Sequence, residues 1–106
     1  MHIVQAATIG LGTYTTSAAA LAGTTTLADL CGLAALPDGC SDAEIQVTAG
    51  TVYRNNDGTD ADANDMPMSA GDVFQVNNSS WLLSQQLRFF ADAQCTIVVA
   101  LNKSHA

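Results

Sequence analysis

The residues best suited to chemistry form a short acidic run, Asp57-Gly58-Thr59-Asp60-Ala61-Asp62-Ala63-Asn64-Asp65. Alternating carboxylates and an amide can surround a hard cation such as calcium with oxygen ligands. The EF-hand pattern is nevertheless broken. Counted from Asp60, the sixth position is Asp65, where the loop needs a glycine, and the twelfth is Gly71, where a bidentate glutamate belongs. The expectation is a solvated loop and no metal ligands. Cys31 and Cys40 are spaced too widely for a zinc knuckle, and His2 and His105 sit at opposite ends of the chain. A nucleophilic triad would require one of those terminal histidines to be held in hydrogen-bond geometry by a serine or cysteine and a carboxylate, which disfavours hydrolase chemistry. Gly10-Leu11-Gly12 is followed by Thr13-Tyr14-Thr15, with neither a third glycine nor a lysine, so no phosphate-binding loop is present. No catalytic residue and no cofactor site is expected: the chain reads as a non-enzyme.

Two of the three basic residues, Arg54 and Arg88, fall inside apolar strand patterns beside Val52, Leu87 and Phe89, so each needs a partner. An ion pair to Asp57 or Asp92, or backbone hydrogen bonds, would satisfy them within the domain. The planar multi-donor guanidinium equally suits a contact between subunits. Trp81, Phe74, Phe89 and Phe90 are expected in the core, since one tryptophan makes no sugar-binding platform.

These residues sit on a 106-residue chain of formal net charge -7, with 48% hydrophobic and 12% charged residues. That length sets one domain, able to bury about two thirds of its extended surface. High hydrophobicity with little charge predicts order. Three Lys and Arg against ten Asp and Glu cannot neutralise a run of phosphates, which argues against nucleic-acid and anionic-membrane binding. Threonine, serine and glycine interrupt every candidate for a membrane span of about 20 residues. The first 23 residues lack the basic start of a signal peptide. Cys31, Cys40 and Cys95 are an odd number, so a full disulfide framework cannot form, and reduced buried thiols are expected.

The first charged residue is Asp29. Residues 1–23 therefore read as an uncharged arm or strand, built either into the domain's own sheet through Ile3, Ala7, Ile9 and Leu11 or onto another subunit, with residues 24–106 as a single β-sandwich domain. Leu27, Leu30, Cys31 and Ala34 have helical spacing, Thr26 and Asp29 match a capping box, and Gly32 can end the turn. After a Pro37-Asp38-Gly39 turn, Ala43 to Thr48 alternates as a half-buried strand with Ile45 and Val47 inward. Gly50 separates it from Thr51 to Arg54, which would be an adjacent strand or a continuation past a bulge at Ala49-Gly50. Residues 55–63 form a polar loop. Pro67 suits a sheet edge, Ser69-Ala70-Gly71-Asp72 turns into a strand from Val73 to Val76, and Leu87 to Ala91 is another strand. The unbroken apolar run Ile97 to Leu101 predicts a central strand covered on both faces. The fold class is mostly β: a sandwich or small barrel with one short helix.

The segment Ala43-Glu44-Ile45-Gln46-Val47-Thr48-Ala49-Gly50-Thr51-Val52-Tyr53-Arg54-Asn55-Asn56-Asp57-Gly58-Thr59 resembles a motif in small virion-associated proteins of tailed bacteriophages, in particular capsid decoration or cement proteins. The resemblance continues through Asp65-Met66-Pro67-Met68 and Ala70-Gly71 to Leu87-Arg88-Phe89-Phe90-Ala91, about half of the chain, with Asp65 in place of an expected glycine. It implies a jelly-roll-like β-sandwich that acts by binding. Its partners would be the major capsid protein and further copies of itself, as a homotrimer at a symmetry axis on the capsid outer surface. A tail, collar or head-fibre component, or a small ligand- or metal-binding β module, are the alternatives.

Overall fold

The computed structural model describes residues 8–104. His2, Ile3, Ala7 and His105 lie outside the described residues. Eight strands form two four-stranded antiparallel sheets around one core, consistent with a β-sandwich. The strands are β1 (Thr8–Ala18), β2 (Leu21–Thr25), β3 (Asp42–Ala49), β4 (Thr51–Asn55), β5 (Met66–Ser69), β6 (Val73–Val76), β7 (Arg88–Ala91) and β8 (Cys95–Ser104). One sheet runs β1-β8-β3-β6, the other β2-β7-β4-β5. Four of the antiparallel contacts join β1 to β8, β2 to β7, β3 to β6 and β4 to β5.

The opening quarter is thus sheet from Thr8 onward. The expected limit between residues 23 and 24 falls inside β2, and residues 8–25 supply strands to both sheets. Between β2 and β3 stands the short helix α1 (Leu27–Leu30). The Asp29 amide donates to Thr26 Oγ1 (3.1 Å) and the Thr26 amide to Asp29 Oδ2 (2.9 Å), the reciprocal capping box. Leu27 and Leu30 are buried, and Gly32 leaves the helix with φ of 69°. Ala34 lies beyond the helix and is exposed, so the i+7 position of the pattern is not part of it.

Along β3 the alternation holds: Ala43, Ile45 and Val47 are buried while Glu44 and Thr48 are exposed. Opposite Ile45 and Tyr14 lies Val99 of β8, the central partner of both β1 and β3. The expectation of cover on both faces of β8 is corrected by the burial. Ile97, Val99 and Leu101 are buried against the other sheet, whereas Val98 and Ala100 are half-buried on the outer face. Their small aliphatic side chains stand between threonines of β1 and Glu44 and Gln46 of β3, so β8 is central in its sheet without a third layer above it.

The region around Gly50 also departs from expectation. β3 and β4 are neither neighbours nor one bulged strand: the chain leaves one sheet at Ala49 and enters the other at Thr51. Only glycine fits this corner. Gly50 has φ of 76°, and a Cβ there would stand 2.3 Å from the Gln94 carbonyl oxygen. The bulge lies earlier, between Val47 and Ala49 opposite β8. The turn at residues 69–72 makes the return crossing. Its Gly71 amide donates to Val47 O (2.8 Å) and the Val47 amide to Asp72 O (3.1 Å), pinning the crossing to β3.

Val99→Asp is expected to unfold the domain. A carboxylate placed at a site 1% exposed has no partner, and its desolvation costs several kcal/mol, comparable with the whole stability of a domain this size. Circular dichroism checks this, and a native spectrum for the variant would contradict the packing described.

Candidate functional site

The acidic run forms a loop, residues 56–65, whose carboxylates bind their own backbone. Asp57 Oδ1 accepts from the Thr59 amide (3.0 Å) and hydroxyl (2.6 Å). Asp62 Oδ1 accepts from the Asn64 amide (2.8 Å), and Asp65 Oδ2 from the Asp62 amide (2.8 Å). The Thr59 hydroxyl, then its amide, hold the Asp57 carboxyl below its ordinary range. These carboxylates shape turns rather than converge on a point. Among the described residues no group of three or more His, Cys, Asp or Glu side chains is placed to hold a metal ion. The loop is anchored on β2, where the Ala61 amide donates to Gly23 O (3.0 Å) and Ala61 is buried.

Against this loop packs the π-helical turn Leu82–Gln86, closed by the Leu87 amide bonding to Leu82 O (3.0 Å). Leu83 and Leu87 bury themselves in the core and fix the turn. The Gly58 amide donates to Gln86 O (2.9 Å). With the Gln86 amide oriented to satisfy both neighbours, its oxygen accepts from Trp81 Nε1 (3.0 Å) and its nitrogen donates to Asp57 O (3.2 Å). Trp81 was expected in the core but is 65% exposed. The sequence around it, Asn77-Asn78-Ser79-Ser80, offers no apolar alternation that could have placed it inward. The ring is an outward-facing surface whose N–H is already engaged, so what it offers a partner is apolar area.

Of the other aromatics, Phe89 is wholly buried and Phe74 packs at the margin of the core. Phe90 faces outward beside Tyr53 (ring centroids 6.1 Å apart), which corrects its core assignment. The Arg54 guanidinium lies 3.6 Å over the Phe74 ring and donates to Asn56 Oδ1 (2.7 Å). Its partners are therefore a ring and an amide instead of Asp57 or Asp92, and burial lowers its pKa. Its Nε is buried without a hydrogen bond among the described residues. Arg88 takes the backbone option, donating to Leu87 O (2.8 Å) and Gln85 O (3.3 Å).

Cys31, Cys40 and Cys95 are free thiols, all buried in the core cluster. Burial, then the neighbouring Cys40, pushes the Cys31 thiol up to about 11, and burial also raises Cys40 and Cys95. One buried carboxylate escaped the sequence reading. Asp42, at the start of β3, accepts from Ser41 Oγ (2.7 Å) and from the amide of Asn78, whose φ is 55°. At a strand start Ser41-Asp42 looks like ordinary turn chemistry, so only the fold reveals that this side chain tethers the segment after β6. Adjoining shallow depressions share Ala35, Leu36 and Ser84, and the second is also lined by Asp38 and Cys40. Compared with protein-family models, curated proteins and solved structures, the chain matches none.

The thiols yield a prediction. The folded protein should resist a thiol-specific reagent at pH 8, and all three cysteines should react once urea unfolds it. The folded state holds the Cys31 proton more tightly than the unfolded chain, so this contribution is whole below the ordinary value of 9.0 and is lost as pH rises toward about 11. Urea midpoints should fall across that window, and Cys31→Ala should flatten the fall.

Proposed function

We propose that this chain is a jelly-roll virion protein that decorates and reinforces a phage capsid. The observation that carries the reading is the strand order. Pairing first with last, second with seventh, third with sixth and fourth with fifth is what results when one long eight-stranded hairpin is rolled into two sheets. Jelly rolls of this kind recur in capsid and lectin domains. Fold alone does not assign function. The phage resemblance adds the second support: its blocks fall on β3, β4, β5 and β7, and the last three of these are neighbours in one sheet.

On this reading the protein acts by binding and not by turnover. Its partners are the major capsid protein and further copies of itself, the homotrimer being the assembly that the resemblance implies. Acidity keeps the free protein soluble and complements basic patches on a shell. Exposed Trp81, held by Gln86, supplies apolar contact area. A module that binds only the assembled lattice stabilises that lattice by mass action, and many weak copies suffice.

Purified protein added to heads that lack it should bind every capsomer and raise the temperature at which heads rupture. Trp81→Ala should weaken binding while changing folding stability by less than about 0.5 kcal/mol, as for other exposed positions. Electron cryomicroscopy that found a few copies confined to a tail, collar or fibre would replace this role with the alternative one. Failure to bind any part of the particle would overturn both.

A further inference from the structure

A two-sheet fold has four edges, and three of them here are blunted. At β2 the Ala61 amide caps Gly23 O, and the approach is so close that a Cβ on Gly23 would stand 2.1 Å from the Ala61 carbonyl oxygen. β5 is four residues long and contains Pro67, which has no N–H to offer. β6 is also only four residues long. The edge of β1 is different. The bulge at Gly10–Gly12 disrupts its first half, but Thr13 to Ala18 runs in unbroken register with β8. This stretch has strong β-formers and no proline, glycine or charge, so it lacks the usual defences of an exposed edge. Among the described residues, β8 alone makes main-chain hydrogen bonds to β1.

We infer that this edge is where two copies of the chain join, β1 to β1, antiparallel about a two-fold axis. Three observations select a second copy as the occupant. Residues 8–25 contain no charged side chain in a protein of net charge -7, so copies meeting here avoid the like-charge contact they would meet elsewhere. The edge matches itself in length, whereas pairing with the four-residue edge of β6 would leave part of it unsatisfied. Its side-chain pattern is also self-complementary. A two-fold axis normal to the sheet puts same-face residues opposite one another, so the axis must lie midway between one residue and its own copy. Thr13, Thr15 and Ser17 are the exposed outer-face residues of the regular stretch, and Thr15 is their centre. Thr15 then opposes its own copy and Thr13 opposes Ser17, giving hydroxyl pairs across the joint. The two sheets merge into one of eight strands.

This inference rests on the strand edges and not on capsid decoration, and it replaces the three-fold contact implied by the resemblance with a two-fold one. Sedimentation equilibrium at micromolar concentrations should give twice the 10.9 kDa chain mass. Thr13→Lys with Thr15→Lys, which sets like charges face to face, should give a monomer with an unchanged circular dichroism spectrum. Thr15→Cys should form a disulfide-linked dimer under mild oxidation while Thr48→Cys, exposed on β3, should not. A monomeric or trimeric wild-type mass, or a dimer that Thr15→Cys fails to crosslink, would overturn the inference. Capsid binding by a monomer would overturn it and leave the decoration reading standing.

Discussion

Because β1 pairs with β8, segments from the two ends of the chain must meet before the larger sheet can exist. β8 is also the partner of β3, so the buried row Ile97, Val99 and Leu101 lies between two strands far apart in sequence. The same logic is nested inward through β2 with β7 and β3 with β6, until only β4 and β5 are joined by a local loop. Most of the contacts are therefore non-local, and loop-closure entropy must be spent before burial repays it. Sequence changes that interrupt β8 act on the whole molecule.

The described chain passes between the two sheets six times, and two of these crossings are held by contacts to the neighbouring strands. At Gly50 the crossing takes a single residue in a left-handed conformation against the Gln94 carbonyl. At Ser69–Asp72 the crossing is a turn whose first amide bonds to the Asp72 carboxylate (2.8 Å) while Gly71 and Asp72 grip Val47. These corners align the two sheets so that alternate residues of β3, β4, β7 and β8 meet in one core, and they leave polar groups on the outside. The long loop between β4 and β5 uses its acidic residues to organise itself, lies over the edge of β2 and supports the turn that displays Trp81. The exposed large apolar side chains among the described residues are Ile9, Met66, Val73 and Trp81, and the β1 strand carries no charge.

Much of the local structure was legible in the sequence. The capping box at Thr26 and Asp29, the alternation through Ile45 and Val47, the turn before Val73 and the buried thiols follow from side-chain chemistry and spacing within a few residues. The loop between β4 and β5 was equally readable, because its Asp57-Gly58 turn signal and run of polar side chains are facts of sequence alone. Partner assignments for Arg54 were not. Asp57 and Asp92 were the available charges, but the two-sheet packing brought up the Phe74 ring, and no spacing rule connects residues twenty apart on opposite sheets.

What the sequence determined by itself was a mostly β domain with an uncharged opening stretch and an acidic loop, since composition, period and turn residues act locally. Tertiary structure alone decided that β3 and β4 belong to different sheets, that Trp81 faces outward, that Asp42 is buried and that, among the described residues, β1 pairs with β8 only. Each of these depends on which distant strand lies alongside, and strand pairing is set by the global minimum of burial and main-chain hydrogen bonding, to which no single segment holds the key.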